Sequence, residues 1–87
     1  MDHQYIVGCD TNAERLELQK LLRKNLYMFG KELIDTEHVL TTKPYVVNTK
    51  DKTLSYMGWA TAIVAHNKNY PSLSFQEFKE IFKNDKK

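Results

Sequence analysis

The sequence predicts an α+β fold, with a small, mainly antiparallel sheet of three or four strands packed by one long N-terminal helix and a shorter C-terminal helix. Three observations lead to this prediction. A long amphipathic segment occupies residues 11–30, two β-rich runs flank a polar turn within residues 44–57, and a second capped segment begins at Ser74. Because 87 residues suffice for one core, we expect a single domain over 1–87, with 84–87 a frayed tail.

The composition is that of an ordinary globular protein, with 41% hydrophobic and 28% charged residues. No apolar run is long enough to span a bilayer, and the first residues lack a signal-peptide pattern, which predicts a cytoplasmic protein without membrane contact. The net charge is +2, with five basic against seven acidic side chains in residues 1–37 and eight against four in residues 38–87. Such a mild dipole is not a nucleic-acid signature.

The segment from residue 11 to residue 30 is predicted to be one amphipathic helix. Thr11 and Glu14 have the spacing of a capping box, and Gly30 stands where a left-handed C-terminal cap is expected. At about 100° per residue, one apolar stripe faces the core. This stripe consists of Leu18, Leu21, Leu22, Leu26 and Phe29.

The opposite side of this helix carries two cations bracketed by two apolar residues. The four residues are Leu16, Lys20, Arg23 and Tyr27. We interpret them as an outer ridge that binds a partner, because Tyr and Arg often anchor interfaces. The alternative is a solvated face with incidental apolar residues.

Three short runs are predicted to build the sheet. Residues 5–9 are β-rich and lead directly into the long helix, which we therefore expect to lie across the sheet. Residues 44–50 and 53–57 flank the polar turn at 51–52 and predict a β-hairpin. Residues 37–41 are expected to form a loop or an edge strand.

The C-terminal part is predicted to contain two further helices. Residues 59–66 fit a short helix or a strand, and three alanines favour the helix. Ser74 and Glu77 form a second capping box, with Leu73 and Phe78 as a hydrophobic staple. The helix over 75–83 is expected to bury Phe75, Phe78, Ile81 and Phe82.

No enzyme motif occurs in the sequence, so we expect a protein that is not an enzyme and that holds no metal and no cofactor. The three glycines are isolated, the three histidines are far apart, and the single cysteine excludes an intrachain disulfide. Asp35, Glu37 and His38 are acid and base candidates, although a solvated acidic loop explains them better.

Binding functions remain, and the residues leave two classes open. Protein binding would use the outer ridge of the first helix or the edge of the hairpin. Single-stranded nucleic acid would bind the hairpin, where Tyr45, Lys50 and Tyr56 combine stacking surfaces with charge. The hairpin residues are thus the alternative binding site for either class.

Four segments share their order with a class of small proteins. These segments are Tyr5-Ile6-Val7, the Leu-rich stretch ending in Phe29-Gly30, Pro44-Tyr45-Val46-Val47-Asn48 and Ser74-Phe75-Gln76-Glu77-Phe78. Their layout resembles that of small accessory proteins of tailed bacteriophages. The matching residues are structural, so no functional residue is carried over. The resemblance implies a host-takeover or anti-defence role in the host cytoplasm, either by blocking a bacterial host protein or by sequestering a nucleotide signal as a homo-oligomer.

Overall fold

The computed structural model describes residues 4–85, and within them the chain forms three helices and one six-stranded mixed sheet. The elements are β1 (Gln4–Gly8), α1 (Asn12–Lys24), β2 (Met28–Phe29), β3 (Glu32–Leu33), β4 (Tyr45–Asn48), β5 (Thr53–Tyr56), α2 (Trp59–Lys68), β6 (Ser72–Ser74) and α3 (Phe75–Asp85). The α+β class is therefore confirmed. The sheet, however, is larger than the three or four strands expected.

The strand order is β3-β2-β5-β4-β1-β6. The pairs β3/β2, β5/β4 and β4/β1 are antiparallel, whereas β2/β5 and β1/β6 are parallel. The sequence missed β2, β3 and β6 because strands of two or three residues are too short to show an alternating pattern. At residues 37–41 the structure has a loop, one of the two forms expected there.

Two helical crossovers join parallel strands across the sheet. The connection β1-α1-β2 runs toward one edge, and β5-α2-β6 runs toward the other. Since such crossovers are almost always right-handed, opposite directions place α1 and α2 on opposite faces. Val46, which alternates with the core residues Tyr45 and Val47, is only 4% exposed, in agreement with a covered second face.

The main core lies between the sheet and the helices α1 and α3. Its buried members are Val7, Cys9, Leu18, Leu22, Tyr27, Ile34, Tyr45, Val47, Leu54, Phe75, Phe78 and Phe82. The predicted inward residues of α3 are buried as expected, except that Ile81 is half-buried. Helix α3 continues to Asp85, so residues 84–85 are helical rather than a frayed tail, and residues 86–87 lie outside the described part.

Helix α1 ends at Lys24, earlier than predicted, in a Schellman motif. Leu26 adopts a left-handed conformation with φ of 68°. Its amide donates to the carbonyl of Arg23 (3.1 Å), and the amide of Tyr27 donates to the carbonyl of Leu22 (3.0 Å). This is the bonding pattern of a helix end whose C′ residue is usually glycine. Here that position is occupied by a leucine.

The early end of α1 corrects three predictions. Leu26 is not in the core but 77% exposed. Phe29 packs against the core from β2 instead of from a helix. Gly30 is not the helix cap, and its φ of 64° serves the turn between β2 and β3. The other three positions of the predicted stripe face the core as expected.

Both helix starts have the predicted capping residues. The Glu14 amide donates to the Thr11 hydroxyl (3.1 Å), but the Glu14 carboxylate accepts from the Asp10 amide (2.8 Å) rather than from that of Thr11. At the second start the capping box is reciprocal: the Glu77 amide donates to the Ser74 hydroxyl (3.2 Å) and the Ser74 amide to the Glu77 carboxylate (3.0 Å).

The hairpin and the helix after it are also confirmed. β4 pairs with β5 in antiparallel register, with Val47 opposite Leu54. The Asn48 side chain closes the turn by accepting from the amides of Lys50 and Asp51, each at 3.0 Å. Residues 59–66 are helical, as favoured over a strand, and the helix extends to Lys68.

Candidate functional site

The predicted ridge of Leu16, Lys20, Arg23 and Tyr27 does not form one outer surface. Lys20 is exposed and Leu16 is half-buried, but Tyr27 is only 3% exposed. The Schellman end of α1 turns the chain inward, so the Tyr27 ring packs edge-on against Phe82, with ring centroids 5.8 Å apart. Tyr27 is therefore a core residue and cannot anchor a partner from the surface.

A different row of side chains on α1 is polar and forms hydrogen bonds within the molecule. Its centre is Gln19, which has 0% exposure. The Gln19 side-chain amide donates to the carbonyls of Asp35 (2.8 Å) and His38 (2.7 Å). Its side-chain oxygen accepts from the amide of Leu40 (3.0 Å) and from the hydroxyl of Tyr45. The single side chain of Gln19 thus provides hydrogen-bond partners for two carbonyls and one amide of the loop backbone. Buried polar groups need such partners.

Two arginines extend this row by one helical turn on each side. Arg15 donates to the carbonyl of Lys43 (3.0 Å), and Arg23 donates to that of Ile34 (2.9 Å). Residues 34–43, which we call the pinned loop, are therefore held at both ends and in the middle. Arg23 is a residue that positions the loop, which the sequence pattern did not reveal because the bonded groups are backbone carbonyls distant in the chain.

The acid and base candidates lie in the pinned loop. The Asp35 carboxylate accepts from the amides of Glu37 (2.7 Å) and His38 (3.1 Å) and lies 3.2 Å from the His38 ring nitrogen. These backbone hydrogen bonds, with the one to the His38 ring, lower the pKa of Asp35 below its ordinary value of 3.8. A carboxylate held in its ionised form by its own loop is suited to fixing a turn.

Burial divides the alternative site on the hairpin. Tyr45 and Tyr56 are direct cross-strand partners, but Tyr45 is fully buried, with its hydroxyl on Gln19. Tyr56 is exposed and stacks on Phe29, with centroids 6.1 Å apart. Lys50 is exposed in the turn. Of the two predicted tyrosine platforms, only Tyr56 is accessible.

The thiol of Cys9 is also unavailable for chemistry at the surface. The residue is buried, and burial raises the pKa of Cys9 to about 11 despite the nearby Arg15. Among the residues that the structure describes, no group of three or more His, Cys, Asp or Glu side chains is placed to hold a metal ion.

A groove lies between α1 and α3, on the side of the helices away from the pinned loop. It encloses about 470 Å³. It is lined by Leu21, Lys24, Asn25, Gln76, Lys79, Glu80, Phe82 and Lys83. Leu21 and Phe82 contribute apolar surface, and the rim carries three lysines against one glutamate. We call this feature the α1–α3 groove.

The two helices that form the groove run side by side in the same direction. Lys79 contacts Glu17 near the middle of α1, at 2.8 Å, whereas Phe82, further along α3, contacts Tyr27 beyond the end of α1. The Lys79 ammonium also lies 5.1 Å from the centroid of the Phe75 ring. Lys79 is thus fixed by local partners, while Lys24 and Lys83 stand in the last turns of their helices.

The sequence gives no indication that the groove residues of α1 and α3 lie next to each other. Each helix shows its own exposed lysines, and only the strand order, which brings β6 beside β1, places α3 next to α1. Among residues 4–85, no helix combines the length and hydrophobicity that a membrane span requires. Comparison with protein-family models, curated proteins and solved structures found no match for this chain.

Proposed function

We propose that this chain is a non-enzymatic binding protein that docks a protein partner in the α1–α3 groove and blocks it. The observation that carries the proposal is the groove itself, an apolar floor with a cationic rim between two helices. Apolar surface supplies binding free energy, and the charged rim supplies selectivity and orientation. The phage-like layout of the sequence supports a bacterial host or defence protein as the partner, with the host cytoplasm as the place of action.

The chemistry of the reactive side chains supports a binding role over catalysis. Cys9 is buried with a raised pKa, and Asp35 is engaged by backbone amides. A general acid or base needs a proton-transfer group aimed at a substrate site, and a nucleophile needs an adjacent activating base. Neither group lines the α1–α3 groove.

Single-stranded nucleic acid is the first competing function. It would rely on the hairpin, and the burial of Tyr45 leaves Tyr56 and Lys50 there as a reduced stacking and charge platform. Binding of this kind weakens steeply with salt because phosphate contacts release counterions. Titration of oligonucleotides at low and moderate salt tests it, and tight salt-sensitive binding would contradict the protein-binding proposal.

A nucleotide-sequestering function, as a homo-oligomer with the site between subunits, is the second competitor. Three lysines on one groove are compatible with phosphate, whereas the apolar floor suits side chains better. Calorimetry against a panel of cyclic dinucleotides separates the two functions. A submicromolar Kd for one of these nucleotides would favour the nucleotide-sequestering function, and the absence of binding heat would favour the protein partner.

The decisive experiment is affinity capture from a bacterial lysate with mass spectrometry, comparing wild type with the double variant Lys24→Glu, Lys83→Glu. The matched control, Lys43→Glu with Lys68→Glu, makes the same change in net charge on exposed residues outside the groove. We expect wild type and control to retain a partner that the groove variant loses, and the purified partner to be inhibited by wild type. A partner retained by all three proteins would overturn the groove assignment.

A further inference from the structure

The occupant of the α1–α3 groove can be narrowed by its shape and charge. The groove is lined by about one turn of α1, at residues 21–25, and by about two turns of α3, at residues 76–83, a length of roughly 11 Å along α3. A third helix laid between two side-by-side helices buries an apolar stripe against both of them. The residues on the floor, Leu21 and Phe82, call for apolar groups at helical spacing, as in other grooves that bind an amphipathic helix.

The charge of the rim determines which sign of charge a partner should carry. Lys24, Lys79 and Lys83 line the groove together with Glu80, and Lys79 is already paired with Glu17 at 2.8 Å, so the cationic character of the rim rests on Lys24 and Lys83. A helix with Asp or Glu beside its apolar stripe pairs with this rim, whereas a basic helix meets like charges.

Leu26 provides a second, independent observation next to the groove in the chain, and it is not itself one of the lining residues. It follows Asn25, which lines the groove, and precedes Tyr27, whose ring contacts the groove residue Phe82. A leucine with φ of 68° is strained, because its Cβ crowds the following carbonyl, and glycine is the usual residue at this helix end. The side chain is 77% exposed, so the core does not explain it. Locally unfavourable residues of this kind tend to mark functional positions.

We infer that the partner presents an acidic amphipathic helix, whose apolar stripe fills the α1–α3 groove and ends on the exposed side chain of Leu26. The inference rests on the proposed function and adds the chemistry of the partner. In that complex the side chain of Leu26, which is exposed in the free protein, supplies apolar contact area to the partner. The unfavourable left-handed backbone conformation of Leu26 is then offset by this contact.

The probe is a display library of random 18-residue peptides, selected on wild-type protein. We expect the enriched peptides to carry a net negative charge and apolar residues at i, i+3, i+4 and i+7. Their affinity should fall at least tenfold for the Lys24→Glu, Lys83→Glu variant and stay unchanged for the Lys43→Glu, Lys68→Glu control. Enrichment of neutral or basic peptides, of peptides without helical spacing, or of peptides that the groove variant retains overturns the inference.

Substitution of Leu26 tests whether its side chain contacts the partner helix, independently of any effect on folding. Leu26→Gly should raise the melting temperature because it relieves the left-handed leucine, yet weaken the selected peptides at least fivefold. Leu33→Ala is the control, since Leu33 is also an exposed leucine, 61% against 77% for Leu26. Its cross-strand partner, Met28, alternates with Phe29, which packs against the core. Unchanged peptide affinity in Leu26→Gly would remove Leu26 from the site.

The two proposals fail in different ways. Loss of the lysate partner in the groove variant, together with a selected pool that is not acidic, would refute the acidic helix and leave the groove as the binding surface. A lysate partner that ignores the groove variant would refute the groove and with it the acidic helix.

Discussion

The two flanks of α1 carry similar residue types but differ in what covers them. On one flank, Arg15, Gln19 and Arg23 donate to backbone carbonyls of the same molecule, mostly those of the pinned loop. On the other, Leu21 and Lys24 line the open α1–α3 groove. A row of cations on a helix therefore indicates an interface only after the internal partners of each cation are known.

The difference has a clear physical origin. Loop carbonyls between residues 34 and 43 need donors when they are brought against a helix, and long polar side chains at i, i+4 and i+8 supply them. Helix α3 presents apolar and charged side chains to α1, and its backbone groups are already bonded within the helix. The side chains of α1 that line the groove are therefore not needed as donors to backbone carbonyls. The first flank therefore stabilises the fold and the second is available for binding.

The largest expected effect is that of Gln19→Leu. The substitution keeps the volume but leaves two carbonyls, one amide and one hydroxyl without their partner. We expect a loss on the order of 4 kcal/mol in the free energy of unfolding, measured by urea denaturation. Lys20→Leu, at the neighbouring exposed position, should change it by less than about 0.5 kcal/mol. Similar effects for the two variants would contradict the pinned-loop description.

Next in size is Leu22→Ala, which probes the apolar side of the same helix. Leu22 is fully buried in the core, so its truncation should lower the free energy of unfolding by about 3 kcal/mol. Leu21→Ala, at the half-buried wall of the groove, should cost less than half as much. A melting temperature that Leu22→Ala leaves unchanged would show that the helix register is wrong.

A smaller effect distinguishes two adjacent cations on the two flanks. Arg23→Ala removes the donor to the Ile34 carbonyl and should cost about 1.5 kcal/mol. Lys24→Ala removes a groove lysine and should cost less than about 0.5 kcal/mol. Partner capture should show the reverse order, with Lys24→Ala the more damaging. Equal stability of the two variants would mean that Arg23 does not hold the loop.

The smallest effect concerns the pH dependence of the pinned loop. The pKa of Asp35 is lower in the folded protein than its ordinary value of 3.8, so its contribution to stability is present above that value and is lost as the pH falls through the folded pKa. Melting temperatures of Asp35→Asn should therefore fall less steeply than those of wild type below about pH 4. Glu37→Gln, in the same loop, is the control, and a wild-type slope in Asp35→Asn would exclude the carboxylate as the cause.

Local rules predicted several elements correctly because their causes lie within a few residues. Thr11 and Ser74 cap helices through amides three residues away, and these bonds form wherever the chain turns into a helix. The hairpin of β4 and β5 follows from alternation on both sides of a short turn. The aromatic stripe of α3 follows from helical periodicity alone.

The sequence by itself therefore determined the α+β class, both helix starts, the hairpin and the buried face of each core helix. Only the tertiary structure decided where α1 ends, which short segments join the sheet, and which polar flank is internal. A left-handed Leu26, a two-residue strand and a buried Gln19 are each unfavourable or neutral in isolation. They become stable because residues distant in the chain supply the neighbouring strand, the packed ring of Phe82 and the loop carbonyls.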